Sequence, residues 1–332
     1  MHIPDNYLSP STCAVMAVAV TPVLIHSVKK VKKDMPKEKI PLLGIGAAFS
    51  FLLMMFNIPL PGGTTGHAVG GTLVALLLGP EAACISVTIA LFIQALLFGD
   101  GGILSFGANA FNMAFILPFV GYYTYNFIKN KIKSSLGEKI GIAVGAYIGL
   151  NLAAVITAIE FGIQPLLFKD SLGNPMYCPY GLSISIPAMV LSHLIVAGVV
   201  EAAFTLAIYS FIKKTSKEMI YKHSEKEIKY KPVLILLGIL ILLTPLGLLS
   251  EGTAWGEWSI EEISNISESG TSLGFVPSGM ENGFNFNSLM PDYEVGGISP
   301  AIGYILAAII GTAILIIAFK MISSLKRDTS NE

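Results

Sequence analysis

The chain has 332 residues, of which 53% are hydrophobic and only 13% charged, against about 25% charged residues in an ordinary soluble domain. A mean hydropathy of +0.68 and a formal net charge of −1 exclude a soluble globule, a disordered chain and a nucleic-acid binder, which would need a basic excess to attract phosphates. Three scattered cysteines, Cys13, Cys84 and Cys178, exclude a secreted disulfide scaffold. The composition describes an all-α polytopic membrane protein.

In chain order, apolar runs predict spans over residues 11–28, 41–58, 66–79, 80–98, 107–128, 139–165, 183–212, 232–249 and 299–321, against about 20 residues needed to cross a bilayer. The third and fourth form one nearly continuous stretch, too long for a single span. Gly79-Pro80 breaks it, because proline removes a backbone donor and disfavours helix in the residue before it. Charge supports the break. The basic residues are clumped at 29–39, 129–139, 213–231 and 320–327, with Lys169 alone. Nine spans and an extracytoplasmic N-terminus place every basic residue but Lys169 on the cytoplasmic side, the face that basic loops mark. Merging 66–98 would invert everything after it.

The same bookkeeping divides the chain. Residues 1–212 form a seven-span unit, 213–231 a basic cytoplasmic linker, and 232–332 a two-span unit with a cytoplasmic C-terminus. The external loop 250–298 of that unit contains no lysine or arginine. Its Ser, Gly and Asn content predicts a largely mobile segment. The start, MHIPDNYLSP, lacks the basic region of a cleavable signal peptide.

Of five histidines, His26 and His223 read as interfacial or solvated. His2 is notable for its address. A free N-terminal amine, the amide nitrogen of residue 2 and the His2 imidazole can close two fused chelate rings, supplying three of four planar nitrogens for Ni(II) or Cu(II). The plainer reading is a histidine that merely follows the initiator. His67 lies in Pro59-Leu-Pro-Gly-Gly-Thr-Thr-Gly-His67, a loop on the same predicted face, and its neutral imidazole can provide the fourth nitrogen. Otherwise the loop is ordinary turn chemistry. Asp5, Thr64, Thr65 and Gly66 are candidates for the surroundings of such a site, and Asp100 is expected in an external turn. Glu160, His193 and Glu201 fall inside predicted spans, where ionisable groups face the bundle interior. They form a candidate helix-interior polar network, read either as an ion relay or as plain helix-to-helix bonding. Gly141, Gly145 and Gly149 stack on one helix face for close packing. There is no phosphate-binding G-x-x-x-x-G-K-[S/T] loop, no H-E-x-x-H and no G-x-S-x-G, so the chain is read as no enzyme and as no ATPase itself.

The start MHIPDNYLSP, the run PLPGGTTGHAVGGTLVALLLGP and the stretch QALLFGDGGILSFGANAFNMAFILPFVGYY together resemble the CbiM/NikM family over about residues 1–212. His193 and Glu201, in SHLIVAGVVEA, match a further family stretch. Members are substrate-specific membrane components of energy-coupling factor (ECF) importers for cobalt and nickel. The tail is similar to the small two-span NikN-like partner, here fused. Its Met290-Pro-Asp-Tyr-Glu294 resembles a Pro-Asp-Gly-Leu-Glu signature, with Tyr293 and Glu294 in the places of Gly and Leu. The family also has Gly where this chain has Asn6. Carried over, the metal site falls on the Met1 amine, the His2 amide and imidazole, and His67.

The resemblance implies a multi-pass cell-membrane subunit that captures Ni(II) or Co(II) as transported substrate, without an intrinsic cofactor. It implies a transmembrane coupling (T) subunit and cytoplasmic ATPases as partners, besides the lipid bilayer, and no nucleic acid. Alternatives are an ion-coupled secondary metal transporter, or a membrane metal sensor or scaffold.

Overall fold

The first helix starts where its sequence says it should. Ser9 Oγ accepts from Thr12 N at 3.1 Å, satisfying one of the free amides of the first turn, and Pro10 occupies a position that needs no N–H. In the computed structural model, which describes residues 1–221, 228–250, 252–266 and 272–325, α1 runs Pro10–Asp34 and ends in Lys32 and Lys33, cations suited to a helix C-terminus. Helix α2 (Pro41–Met54) leads into a hairpin of β1 (Ile58–Leu60) and β2 (Thr64–Gly66), antiparallel with Pro59 opposite Thr65. Then follow α3 (Gly71–Leu78) and α4 (Pro80–Ile93), the latter prolonged by a π-helical stretch, Gln94–Phe98. Next, α5 (Phe106–Asn109), a second π stretch (Ala110–Ile116) and α6 (Leu117–Lys131) make one continuous helix. Helix α7 (Ser135–Gly162) and the short α8 (Gln164–Leu167) precede α9 (Leu182–Ser192), which passes through a third π stretch, His193–Ala197, into α10 (Gly198–Thr215). The tail holds α11 (Tyr230–Leu243), two single turns α12 (Ile260–Ile263) and α13 (Ser278–Glu281), and α14 (Pro300–Leu325).

Among the described residues, six helices are long and apolar enough to cross a membrane: Pro10–Asp34, Pro80–Phe98, Ser135–Leu167, Leu182–Thr215, Tyr230–Leu249 and Pro300–Leu325. The protein is an all-α, multi-pass membrane protein. The break at Gly79-Pro80 is present, with Gly79 at φ +92° between α3 and α4. Its N-terminal side differs from expectation. Of residues 66–79 only Gly71–Leu78 is helical, about 12 Å at 1.5 Å per residue, well short of a hydrocarbon core of about 30 Å. Residues 64–66 are a strand, so this segment enters the bundle without the length to cross it. Helix α2 likewise stops at Met54, before the hairpin.

The glycine stripe of α7 packs on α6, as its spacing predicts. A Cβ at Gly145 would sit 2.5 Å from the Gly121 carbonyl, so only glycine permits this approach. The tail is packed into the same bundle, since α14 lies on α2 and a Cβ at Gly44 would meet the Leu315 carbonyl at 2.9 Å. The loop 250–298, expected to be external and largely mobile, carries several buried residues. In its described parts Trp255, Trp258, Ile263, Met280 and Tyr293 are buried. Tyr180, Phe161 and Phe98 give their rings partners. These large apolar residues anchor a sequence whose average composition is polar.

Candidate metal centre

The N-terminal arm, residues 1–9, is folded into the bundle by bonds to its main chain. Ile3 N donates to Asn109 Oδ1 at 2.8 Å, and Asn109 Nδ2 donates back to Ile3 O at 3.0 Å. Ser105 Oγ and Gly102 N also donate to Ile3 O. The Asp5 carboxylate accepts from Ile103 N at 3.0 Å and Leu104 N at 2.7 Å. Ser9 N donates to Gln164 Oε1 at 3.0 Å. Asn6 takes a left-handed φ of +68°, which asparagine tolerates better than most side chains. Its amide pairs with both main-chain groups of Phe284. The arm therefore sits in one conformation, with Met1, His2 and Ile3 all buried.

The glycine-rich loop is the β1–β2 hairpin. Gly62 and Gly63 turn it at φ +93° and +76°, and β2 delivers His67 to the same place. His67 Nε2 lies 3.1 Å from His2 Nδ1. His67 Nδ1 lies 3.1 Å from the Ala68 carbonyl, so the proton belongs on Nδ1 and Nε2 keeps its lone pair toward His2. A main-chain carbonyl on the far ring nitrogen is the usual support of a metal-binding histidine.

Carboxylates surround the pair. The Met1 amine is 3.2 Å from Glu257 Oε1, and His2 Nδ1 is 3.0 Å from Asp100 Oδ1. Tyr293 donates its hydroxyl to Asp100, and Gln94 Nε2 reaches both at 3.0 and 2.8 Å. Burial, helped by the nearby Met1 ammonium, pushes His2 down to about 3 and His67 well below the ordinary imidazole value, so both rings are neutral. Burial pushes Asp100 and Glu257 up, partly offset at Asp100 by the Tyr293 hydroxyl. A cavity of about 590 Å³ opens onto this group. Asp100, Glu257, Glu262, Asp292 and Glu294 line it beside His67.

Met1, His2 and His67, singled out in the sequence, thus come together. Among the described residues no group of three or more His, Cys, Asp or Glu is placed to hold a metal ion. Asp5 holds the arm, Thr64 Oγ1 donates to the Thr253 carbonyl at 3.0 Å, Thr65 lines the cavity, and Gly66 clears Leu60. Glu160, His193 and Glu201 hold separate partners: Asn112 Nδ2 at 2.7 Å, the Met189 carbonyl at 2.7 Å, and Val69 N at 2.7 Å. His26 is exposed, and His223 lies outside the described residues. Asp100 does occupy a turn, between Gly99 and Gly101 at positive φ, but that turn carries it to His2. Gln94, Asn109, Glu257 and Tyr293 were not singled out as site residues in the sequence, although Gln94, Asn109 and Tyr293 lie in stretches that carry the family resemblance. Gln94 and Asn109 sit at or beside π-helical stretches, which often mark functional positions.

Comparison with known proteins shows the family. Residues 2–219 match the family described as "Cobalt uptake substrate-specific transmembrane region", and residues 231–328 match the PDGLE domain. The chain is 49% identical over 331 residues to the "Probable fused nickel transport protein LarMN" of Lactiplantibacillus plantarum, covering 99% of this chain and 98% of that one. It is 40% identical over 340 residues to the "Fused nickel transport protein NikMN" of Rhodobacter capsulatus, covering 98% of each. A solved transition metal transporter is 56% identical and superposes with a TM-score of 0.62 over 66% of this chain and 95% of its own. With a buried N-terminal arm meeting His67 and a match across most of its length, the chain belongs to the family of cobalt uptake substrate-specific transmembrane regions.

Proposed function

We propose that the protein is the metal-capturing membrane subunit of an ATP-driven nickel or cobalt importer. In this reading the Met1 amine, the His2 amide nitrogen and imidazole, and the His67 imidazole bind Ni(II) or Co(II) as substrate. The observation that carries it is the 3.1 Å between His2 Nδ1 and His67 Nε2. Two nitrogens bound at right angles to one ion, at the about 2.0–2.1 Å typical of metal–imidazole bonds, stand about 2.9 Å apart. The lone pair on His67 Nε2 and the arm's fixed conformation support the same donor set. Four planar nitrogens suit Ni(II), and the names of the fused relatives point to nickel.

The site faces outward in this proposal. Residues 1–212 form the capture unit, 213–231 a cytoplasmic linker, and 232–332 a fused two-span unit whose external loop 250–298 covers the site with Glu257 and Tyr293. The acidic cavity is the route of entry, because a cleft of one sign concentrates counter-ions. The chain carries no phosphate-binding loop, so ATP hydrolysis falls to separate ATPase subunits acting through a transmembrane coupling subunit.

One added residue before Met1 tests the chelate, since it turns the terminal amine into an amide. The expected result is loss of high-affinity Ni(II) binding by the purified protein, with expression and folding unchanged. Retained tight binding in that variant would refute the donor set.

A further inference from the structure

Glu201 is fully buried on α10, yet its carboxylate does not pair with another side chain of the candidate polar network. It accepts from two consecutive main-chain amides, Val69 N at 2.7 Å and Gly70 N at 2.9 and 3.1 Å. These amides lie at the start of α3, where a helix favours negative charge. Val69 is held from the other side as well: Ser50 Oγ on α2 donates to its carbonyl at 2.7 Å. Gly70 turns at φ +72°, and a Cβ there would meet Leu53 Cδ1 at 2.5 Å. The main chain directly after His67 is therefore fixed at both its donor and acceptor groups by two different helices.

We infer that Glu201 is a positioning residue for His67, bracing residues 67–70 so that the imidazole Nε2 meets His2 Nδ1. The inference rests on the chelate proposed above. The carboxylate offers lone pairs to both amides. A glutamine of the same shape offers one acceptor oxygen and turns an NH₂ toward donors, so Glu201→Gln loosens the brace without opening a cavity. Through α10, any tilt of that helix would also be transmitted to the fourth donor.

The test is a double-mutant cycle on the full chain with an unmodified N-terminus: wild type, Glu201→Gln, His67→Ala and the double variant, each titrated with Ni(II). Affinity and the visible absorption band of the bound ion, which reports its donor set, are both recorded. We expect Glu201→Gln to weaken binding by about tenfold or more, as loss of a ligand's supporting partner does, and to shift the band. The double variant should bind no more weakly than His67→Ala alone, to within about threefold, because the brace acts only through the imidazole. The same loss in both backgrounds would overturn the inference and make Glu201 a residue of the general fold. Unchanged binding in Glu201→Gln, with His67→Ala weak, would overturn it too. Unchanged binding in His67→Ala would overturn the chelate itself, and the inference with it. If Glu201→Gln does not fold, Ser50→Ala carries the same cycle, releasing the Val69 carbonyl; additivity there is equally fatal.

Discussion

Asn109→Ala isolates what holds the N-terminal arm in place. The side chain bonds both main-chain groups of Ile3, the residue after His2. The two bonds are unequal in consequence. Ile3 O keeps Ser105 Oγ and Gly102 N when Asn109 is truncated, whereas Ile3 N loses the one acceptor found for it. Leaving a buried N–H without a partner costs about 1–3 kcal/mol, so about 2 kcal/mol is a fair central figure. At about 1.4 kcal/mol per factor of ten, the ratio of released to docked arm rises by about thirtyfold. Hydrogen–deuterium exchange reads that ratio directly, because local opening sets the exchange rate of protected amides. The amides of Ile3 and residues 5–9 should exchange about thirtyfold faster in Asn109→Ala, while those of α7 are unchanged. Ni(II) binding should weaken in parallel, since only the docked arm presents both histidines. Exchange of the arm within threefold of wild type would show that Asp5 and Ser9 alone hold it, and the reasoning would fail.

Tyr293 takes a left-handed φ of +64°, a strain of about 1–3 kcal/mol for a bulky residue, while its ring stacks on Phe98 at 4.8 Å. Tyr293→Gly should still lower the melting temperature, because deleting a buried aromatic costs about 3–5 kcal/mol; a higher melting temperature would reverse that ranking. For pH, His2 and His67 titrate below the ordinary value when folded, His2 at about 3, so the unfolded chain binds more protons below about 6.5 and the metal-free protein loses stability as pH falls from there. Asp100 and Glu257, raised by burial, act with the opposite sign. The informative quantity is therefore the difference between wild type and His67→Ala, whose melting temperature should depend less steeply on pH; identical slopes would contradict the shift. Glu262→Gln with Asp292→Asn should slow Ni(II) association several-fold at low ionic strength and leave dissociation unchanged, as expected of steering that salt screens; stopped-flow rates insensitive to both substitutions would remove the entry role of the cavity.

Some of this was legible in the residues themselves. Scarcity of charge identifies a membrane protein because only helices of apolar residues satisfy their own backbone in lipid. The Gly79-Pro80 break and the glycine stripe of α7 follow from local stereochemistry. The motif MHIPD with GGTTGH pointed to the family and to His2 and His67. What local pattern could not supply is partnership over long separations. Asn109 is ordinary until it faces Ile3, and Glu257 is one acidic residue in a polar loop until its carboxylate stands 3.2 Å from the Met1 amine. Tyr293, in the place of the family's glycine, acquires meaning only when its hydroxyl reaches Asp100. The length of α3 was also hidden, because an apolar run does not say whether its first residues are helix or the end of a hairpin. Periodicity and composition report what a residue needs from its surroundings. Which group meets that need is decided by packing, and here packing brought a carboxylate from the far end of the chain to the first nitrogen.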